Sequence, residues 1–217
     1  SAGRVIFSFR GNIWQVNEDG SNPRQLTRMD ARDIKPRFSP DGQSIAFTSS
    51  RGGNPDVYIM PAVSGEPKRL TWHSGNDEVQ YWTPDGKRIL FSSARGPMAW
   101  DSPLYTVGID GDLPIAIEMG SGAAGMFSQD GSMLAFNRTR YPDPKRHYKG
   151  SNNADVWVMN VRQNTFTQLT DLKLEEYKEA VHDANPMFGA DGWIYYMSER
   201  DGTFNIWKVN PGVGPRG

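Results

Sequence analysis

Short runs in which apolar and polar residues alternate recur along the whole chain, each bounded by Gly, Pro, Asn or Asp. RVIFSF starts at Arg4, QSIAFTSS at Gln43, KRILFSS at Lys87, SMLAFN at Ser132 and WIYYMS at Trp193. Alternation with a period of two over so few residues predicts half-buried strands, not amphipathic helices. Four of the five runs follow one turn signature, FSPDG ending at Gly42, WTPDG at Gly86, FSQDG at Gly131 and FGADG at Gly192. Successive copies are 44, 45 and 61 residues apart. Asp-Gly supplies the positive φ values that a tight hairpin needs and that β-branched residues resist. Asp41, Asp85, Asp130 and Asp191 are therefore read as turn formers rather than as a repeated acidic site.

A second anchor, an aliphatic residue followed by an aromatic one, marks the third strand of each unit at Ile13-Trp14, Val57-Tyr58, Leu104-Tyr105, Val156-Trp157 and Ile206-Trp207. These aromatics are expected to act as wedges between repeats. The fourth strand closes on QLT at Gln25–Thr27, RLT at Arg69–Thr71 and QLT at Gln168–Thr170, and degenerates to PIAIE near Ile115. Short strands with a period in the low forties predict an all-β fold, a β-propeller of four-stranded antiparallel blades. About five repeats are expected, over residues 4–29, 33–73, 76–120, 122–171 and 179–212 of a single propeller segment spanning 1–217. With strands labelled A to D outward, the first repeat holds only B, C and D and the last only A, B and C. That pattern is expected of a segment of a longer, six-bladed propeller or of a five-bladed ring with an imperfect seam. Unpaired outer edges invite strand pairing between molecules, so self-association is expected.

Composition narrows the partners. A formal charge of -1 gives no whole-molecule field for nucleic acid or an anionic membrane. No apolar run nears the length that spans a bilayer, and the start at Ser1-Ala2-Gly3 is read as that of a processed or trimmed soluble chain. Without cysteine there is no disulfide, thiolate metal site or cysteine nucleophile, and either a reducing cytoplasm or a periplasm is compatible. His73, His147 and His182 lie apart, without a second histidine at metal-ligand spacing, so no metal site is expected. No GxSxG elbow, phosphate-binding Gly-Lys-Ser/Thr loop or helix-opening GxGxxG occurs, so no catalytic residue and no cofactor is assigned.

The long insertions, Arg95–Ser102, Thr139–Asn153 and Leu172–His182, all fall on the face shared by the B–C and D–A connections. Loops on a rigid scaffold concentrate binding residues, which makes this the expected peptide- or partner-binding face. Arginine follows strand B at Arg10, Arg51, Arg95, Arg138 and Arg200. An aspartate lies eight residues before the turn aspartate at Asp33, Asp77 and Asp183, with Gly122 in its place in the fourth unit. Each Arg and Asp can pair within or between blades through bidentate hydrogen bonds, or together form a charged collar that selects a peptide or ion at an axial channel. His147, Tyr148 and Lys149, in the basic and aromatic YPDPKRHYKG insertion, complete the candidate set.

FSPDGQSIAFTSSRGGNPDVYIMPAVSGEPKRLT, from Phe38 to Thr71, resembles the β-propeller repeat of TolB and its relatives. The order of RVIFSFRGNIWQV, TPDGKRILFSSAR, an HYKG insertion before ADVWVMN, and MSERDGTFNIWKVN is similar to the amino-terminal six-bladed propeller of Tricorn-like proteases, from Arg4 to Asn210. The insertion has an H-Y-K form where that family has W-K-R-Y-R-G-G. The resemblance implies continuation into a second propeller, a PDZ domain and a serine protease domain, with every family catalytic residue beyond this chain. It implies a non-catalytic role in peptide substrate access or docking, and a periplasmic or secreted setting, with a cytoplasmic one also open. Two alternatives remain at this stage, a TolB-like protein-interaction scaffold and the accessory propeller of an amidohydrolase or prolyl-oligopeptidase-type hydrolase.

Overall fold

The computed structural model describes residues 3–96, 103–120, 122–138, 154–170 and 181–212, and every regular element among them is a strand. Two compact units are present, Ser1–Pro97 with Tyr105–Ile117, and Met98–Leu104 with Glu118–Gly217.

The first unit carries three antiparallel meanders. β1 (Arg4–Phe9), β2 (Asn12–Asn17) and β3 (Arg24–Gln25) make a three-stranded sheet. β4 (Asp33–Phe38), β5 (Ser44–Ser49), β6 (Asp56–Pro61) and β7 (Lys68–Arg69) make the second. β8 (Asp77–Trp82), β9 (Arg88–Ser93), β10 (Leu104–Gly108) and β11 (Ile115–Ala116) make the third. The alternation seen in sequence serves two burials at once. From β5, Ile45 and Phe47 join Ile13 of the first sheet, with Tyr58 and Met60 around them. Ala46 points the other way and, with Val57 and Leu70, meets Val79, Ile89 and Phe91 of the third sheet. Each such Ile, Leu, Val or Phe contributes about 1.5–3 kcal/mol on burial. Trp82 adds a directional tie by donating its indole N–H to the Arg37 carbonyl at 3.0 Å.

The second unit carries β12 (Ala123–Phe127), β13 (Met133–Arg138), β14 (Asp155–Asn160) and β15 (Thr165–Gln168) as a four-stranded sheet. β16 (Asp183–Phe188), β17 (Ile194–Ser198) and β18 (Asn205–Val209) form a three-stranded one. Ala135, Val156, Val158 and Leu169 pack against Ile194 and Tyr196. Three innermost strands carry a register shift at a non-glycine residue of positive φ, Lys35, Ala124 and Asn185. Such a bulge raises local twist and re-aims the residues that enter the strand.

The Asp-Gly turns are latched by their own sequence. Ser39 Oγ donates to Asp41 Oδ1 at 2.5 Å, Thr83 Oγ1 to Asp85 Oδ1 at 2.6 Å and Ser128 Oγ to Asp130 Oδ1 at 2.6 Å. Gly42, Gly86, Gly131 and Gly192 all have φ between 69° and 80°, the left-handed region that glycine enters freely. In FGADG the hydroxyl position is Gly189, where an added Cβ would come within 2.6 Å of both Tyr195 Cε2 and Asp191 Oδ1. There Tyr195 takes over the latch, donating its hydroxyl to Asp191 Oδ2 at 2.8 Å.

Candidate functional site

Arg51, Arg95 and Arg200 each lie two residues beyond the end of strand B and fold back over the aromatics of their sheet, whereas Arg138 is itself the last residue of β13. The Arg51 guanidinium lies 5.3 Å from the Phe47 ring centroid and 5.1 Å from that of Tyr58. It donates from Nη2 to Asp33 Oδ2 at 2.8 Å and from Nε to Ser49 Oγ at 2.8 Å. Arg95 repeats the arrangement over Phe91 and Tyr105 at 5.4 and 4.9 Å, donating to Asp77 Oδ2 at 2.6 Å and Ser93 Oγ at 2.7 Å. Arg200 lies over Tyr196 and Trp207 at 5.3 and 4.6 Å, 3.4 Å from Asp183, and donates to Tyr196 Oη at 2.6 Å. These three ion pairs form within a sheet, and their carboxylates are buried. A buried carboxylate needs such a partner, because desolvation of an isolated charge is costly.

Arg138 departs from the series. Its guanidinium lies 4.4 Å from the Trp157 ring, 5.4 Å from Phe166 and 5.9 Å from Phe136, and it donates from Nη2 to the Met119 carbonyl at 3.1 Å. Among the described residues no carboxylate pairs with it. Gly122 stands where the aspartate would be, and a Cβ there would lie 2.7 Å from Met119 Cε and 3.0 Å from Phe136 Cδ2. The Met119 thioether, itself buried, fills the carboxylate's volume. Arg10, in the three-stranded first sheet, lies over Phe9 at 5.2 Å. His147, Tyr148 and Lys149 lie outside the described residues.

A second constellation, not visible in the pattern of charges along the sequence, ties the fourth strands to the third. Thr27, Thr71 and Thr170, each ending a QLT or RLT, accept the backbone N–H of Ile13, Val57 and Val156 at 3.0, 3.0 and 2.9 Å. In the second sheet Arg69 Nη2 also reaches the buried Asp56 at 2.6 Å, and Thr71 Oγ1 donates to the same carboxylate at 3.1 Å. Burial raises the Asp56 carboxyl above its ordinary value, opposed by the Arg69 charge. The repeated triplet was the available signal, but read as a strand end it gave no hint of a hydroxyl cap. Trp72 follows this cluster and is largely exposed, 5.9 Å from the Arg69 guanidinium.

Burial likewise raises Asp183, against hydrogen bonds from Ser198 and Thr170 and the charge of Arg200. His182 beside it is buried against Phe204, and desolvation holds its pKa below the ordinary value despite the nearby charges of Glu199 and Asp183. Away from the arginine series, a cavity of about 330 Å³ in the second unit is lined by Asp130, Met133, Phe188 and Pro211 on the Asp-Gly-turn side. Hydrogen bonds from Ser128 and Ser132 lower the Asp130 pKa to about 2.

The sequence matches the family model described as the Tricorn protease N-terminal beta propeller domain over residues 1–214. The chain belongs to this family. Its described residues form five blades of a Tricorn-type β-propeller, the five sheets given above. It is 33% identical over 61 residues to Tricorn protease homolog 1 of Streptomyces coelicolor, covering 28% of this chain and 6% of that protein. It is 41% identical over 64 residues to a protein TolB homolog of Chlorobium luteolum, covering 29% of this chain and 15% of the relative. The chain thus spans only a small part of the curated relatives it matches. Among solved structures, the tricorn protease superposes with a TM-score of 0.79 at 23% identity, over 100% of this chain and 21% of that one. A putative TolB from Agrobacterium tumefaciens gives 0.76 at 17% identity, over 96% of this chain and 73% of that one. Both likenesses are of fold. Within this Tricorn-type propeller, the strand-B arginines and their aspartates are the chain's recurrent charged device.

Proposed function

We propose that this propeller acts as a non-catalytic substrate-docking element of a Tricorn-like peptidase, holding extended polypeptide on the face that carries the strand-B arginines. Arg138 is the observation that carries this reading. Arg51, Arg95 and Arg200 are neutralised within their own blades. Arg138 offers a guanidinium pre-oriented by Trp157 and Phe166 with only a backbone carbonyl as its described polar partner. A pre-organised guanidinium with free donors recognises carboxylates in a planar, bidentate manner. Membership of the Tricorn family and the curated Tricorn relative support peptide as the ligand class. The TolB relatives belong by name to the Tol-Pal system, and with them we favour a periplasmic or secreted setting.

The test is fluorescence anisotropy with an unstructured peptide rich in Asp and Glu, and with its Asn and Gln counterpart. Arg138→Gln should weaken binding of the acidic peptide about tenfold, the value of roughly one charge-assisted hydrogen bond, and leave the neutral peptide unaffected. Equal binding of both peptides by both proteins would refute the reading.

A second reading, a scaffold for a folded protein partner, is favoured by Trp72. An exposed tryptophan over an ion-paired arginine has the composition of an interface hot spot. Under that reading Trp72→Ala abolishes partner binding while Arg138→Gln leaves it intact.

A further inference from the structure

We propose that the cavity between the Asp-Gly hairpins of the fourth and fifth blades is a recognition site for an arginine side chain presented by a bound polypeptide. The inference comes from comparing the seams between neighbouring blades within each unit. Every such seam sets the first residue of one strand B against the aromatic and the Asp-Gly turn that end strand A of the next blade. Between the first and second blades that strand-B residue is Arg4. Its guanidinium lies 5.0 Å from the Phe38 ring centroid and donates from Nη2 to the Gly42 carbonyl at 2.9 Å. The protein itself therefore uses this place in the fold to hold a guanidinium, on an aromatic face and against a turn carbonyl. Between the second and third blades the place is closed by apolar packing. Trp82 is buried there, and Pro40 Cδ lies 3.6 Å from where a Gly86 Cβ would stand.

The seam between the fourth and fifth blades keeps the receiving half and loses the filling. Phe188 ends β16 and opens FGADG as Phe38 ends β4 and opens FSPDG, and Gly192 stands where Gly42 does. Opposite them, Met133 begins β13 and is registered with Asn160, as Arg4 begins β1 and is registered with Asn17. Met133 and Phe188 both pack against the core that these two blades share, so the seam is formed but its cation is gone. Gln129 takes the position of Pro40, and a Cβ at Gly192 would meet nothing within 4 Å. These replacements leave the cavity of about 330 Å³, at the lower end of the range for ligand pockets and suited to a single side chain. Its walls come from two adjacent blades of one compact unit.

The lining defines what enters. Met133, Phe188 and Pro211 offer an apolar bed for the methylene stem of an arginine, and the Phe188 ring offers a face for its guanidinium. Asp130 supplies the counter-charge. Its carboxylate lines the same cavity and is exposed, and hydrogen bonds from Ser128 and Ser132 keep it ionised. Oδ2 accepts only from Ser132 Oγ, at 2.8 Å, which leaves a lone pair for an entering N–H. No cationic residue is among the described residues that line the cavity. Lysine fits less well, because its strongly hydrated point charge neither stacks nor forks its donors between a carbonyl and a carboxylate. The site is independent of what the strand-B arginine face binds.

The test is an NMR titration of the nitrogen-15-labelled chain with the capped tripeptide Gly-Arg-Gly and with its citrulline counterpart, in which a neutral urea group replaces the guanidinium. The arginine peptide should shift the Ser132 and Gly192 amides saturably, with a dissociation constant on the order of a millimolar. Citrulline should bind at least about tenfold more weakly, and Asp130→Asn should weaken the arginine peptide by about the same factor. Met133→Arg should refill the seam from within, as Arg4 does, and abolish binding. Absence of a saturable shift at about ten times the expected constant, equal binding of the citrulline peptide, or undiminished binding by Met133→Arg would each overturn the proposal. The amide spectrum itself verifies folding. Should Met133→Arg unfold, Gln129→Pro closes the same seam in the manner of Pro40 and carries the same expectation.

Discussion

Replacing Asp77 by alanine tests whether the strand-B arginine pairs hold the blades together. Asp77 is fully buried, accepts from Arg95 Nη2 at 2.6 Å on one oxygen and from Ser93 Oγ at 2.5 Å on the other. Removing it leaves a largely buried guanidinium without its counter-charge, which costs about 3–5 kcal/mol. For a chain of this size that corresponds to a fall in melting temperature of roughly 6–20 °C. Urea unfolding followed by tryptophan fluorescence should show the midpoint shifted at an unchanged slope. The double variant Asp77→Ala/Arg95→Met should return to within about 1–2 kcal/mol of wild type, since an apolar replacement removes the stranded charge and keeps contact with Phe91 and Tyr105. Asp33→Ala should cost about 1 kcal/mol less than Asp77→Ala, because Asp33 Oδ1 has no hydrogen-bond partner to lose. The reasoning is refuted if Asp77→Ala costs less than about 1 kcal/mol, the value of an exposed pair such as Lys35–Glu78, or if the double variant is no better than the single one.

Further outcomes follow from the same geometry. Thr71→Val keeps the shape but strands the buried Val57 N–H and one donor to Asp56, and should lower stability by about 1–3 kcal/mol in the same urea assay. His182 is held neutral in the folded chain, while the unfolded chain takes up a proton near the ordinary histidine pKa of about 6.5. The unfolded state then binds more protons, so stability falls as pH drops through that value toward the lower folded pKa. His182→Gln should remove this part of the slope, and an unchanged difference in urea midpoint across that range would contradict it. The purified chain should hydrolyse no peptide, and inhibitor-sensitive peptidase activity in homogeneous material would show otherwise.

Strands and turns were legible because they are dictated locally. Gly42, Gly86 and Gly131 announce hairpins by a residue type that only one backbone conformation requires, and the alternation in SIAFTS states that both sides of β5 are covered. Residue types at the arginine sites were also visible, but their partners were not. Both Asp33 and Gly122 sit at the entrance of a strand A, yet only three-dimensional packing shows that a methionine from three residues upstream occupies the missing carboxylate's place. The threonine cap stayed hidden for a related reason. Thr71 bonds an amide 14 residues back, a distance set by strand register and not by any local motif.

The latched Asp-Gly turns bear on how the polypeptide ages. Among aspartyl steps, Asp-Gly rearranges most readily to isoaspartate, because an unhindered glycine amide can attack the preceding side-chain carboxyl. Here those amides are already engaged. Gly42 N donates to the Ser39 carbonyl at 2.8 Å, Gly86 N to Thr83 at 2.9 Å, Gly131 N to Ser128 at 2.9 Å and Gly192 N to Gly189 at 3.0 Å. Hydrogen bonds lower the pKa of all four carboxyls, which keeps them in the ionised and unreactive form. Rearrangement must therefore wait for a hairpin to open, and the slow appearance of isoaspartate at each turn becomes a clock for the local breathing of its blade.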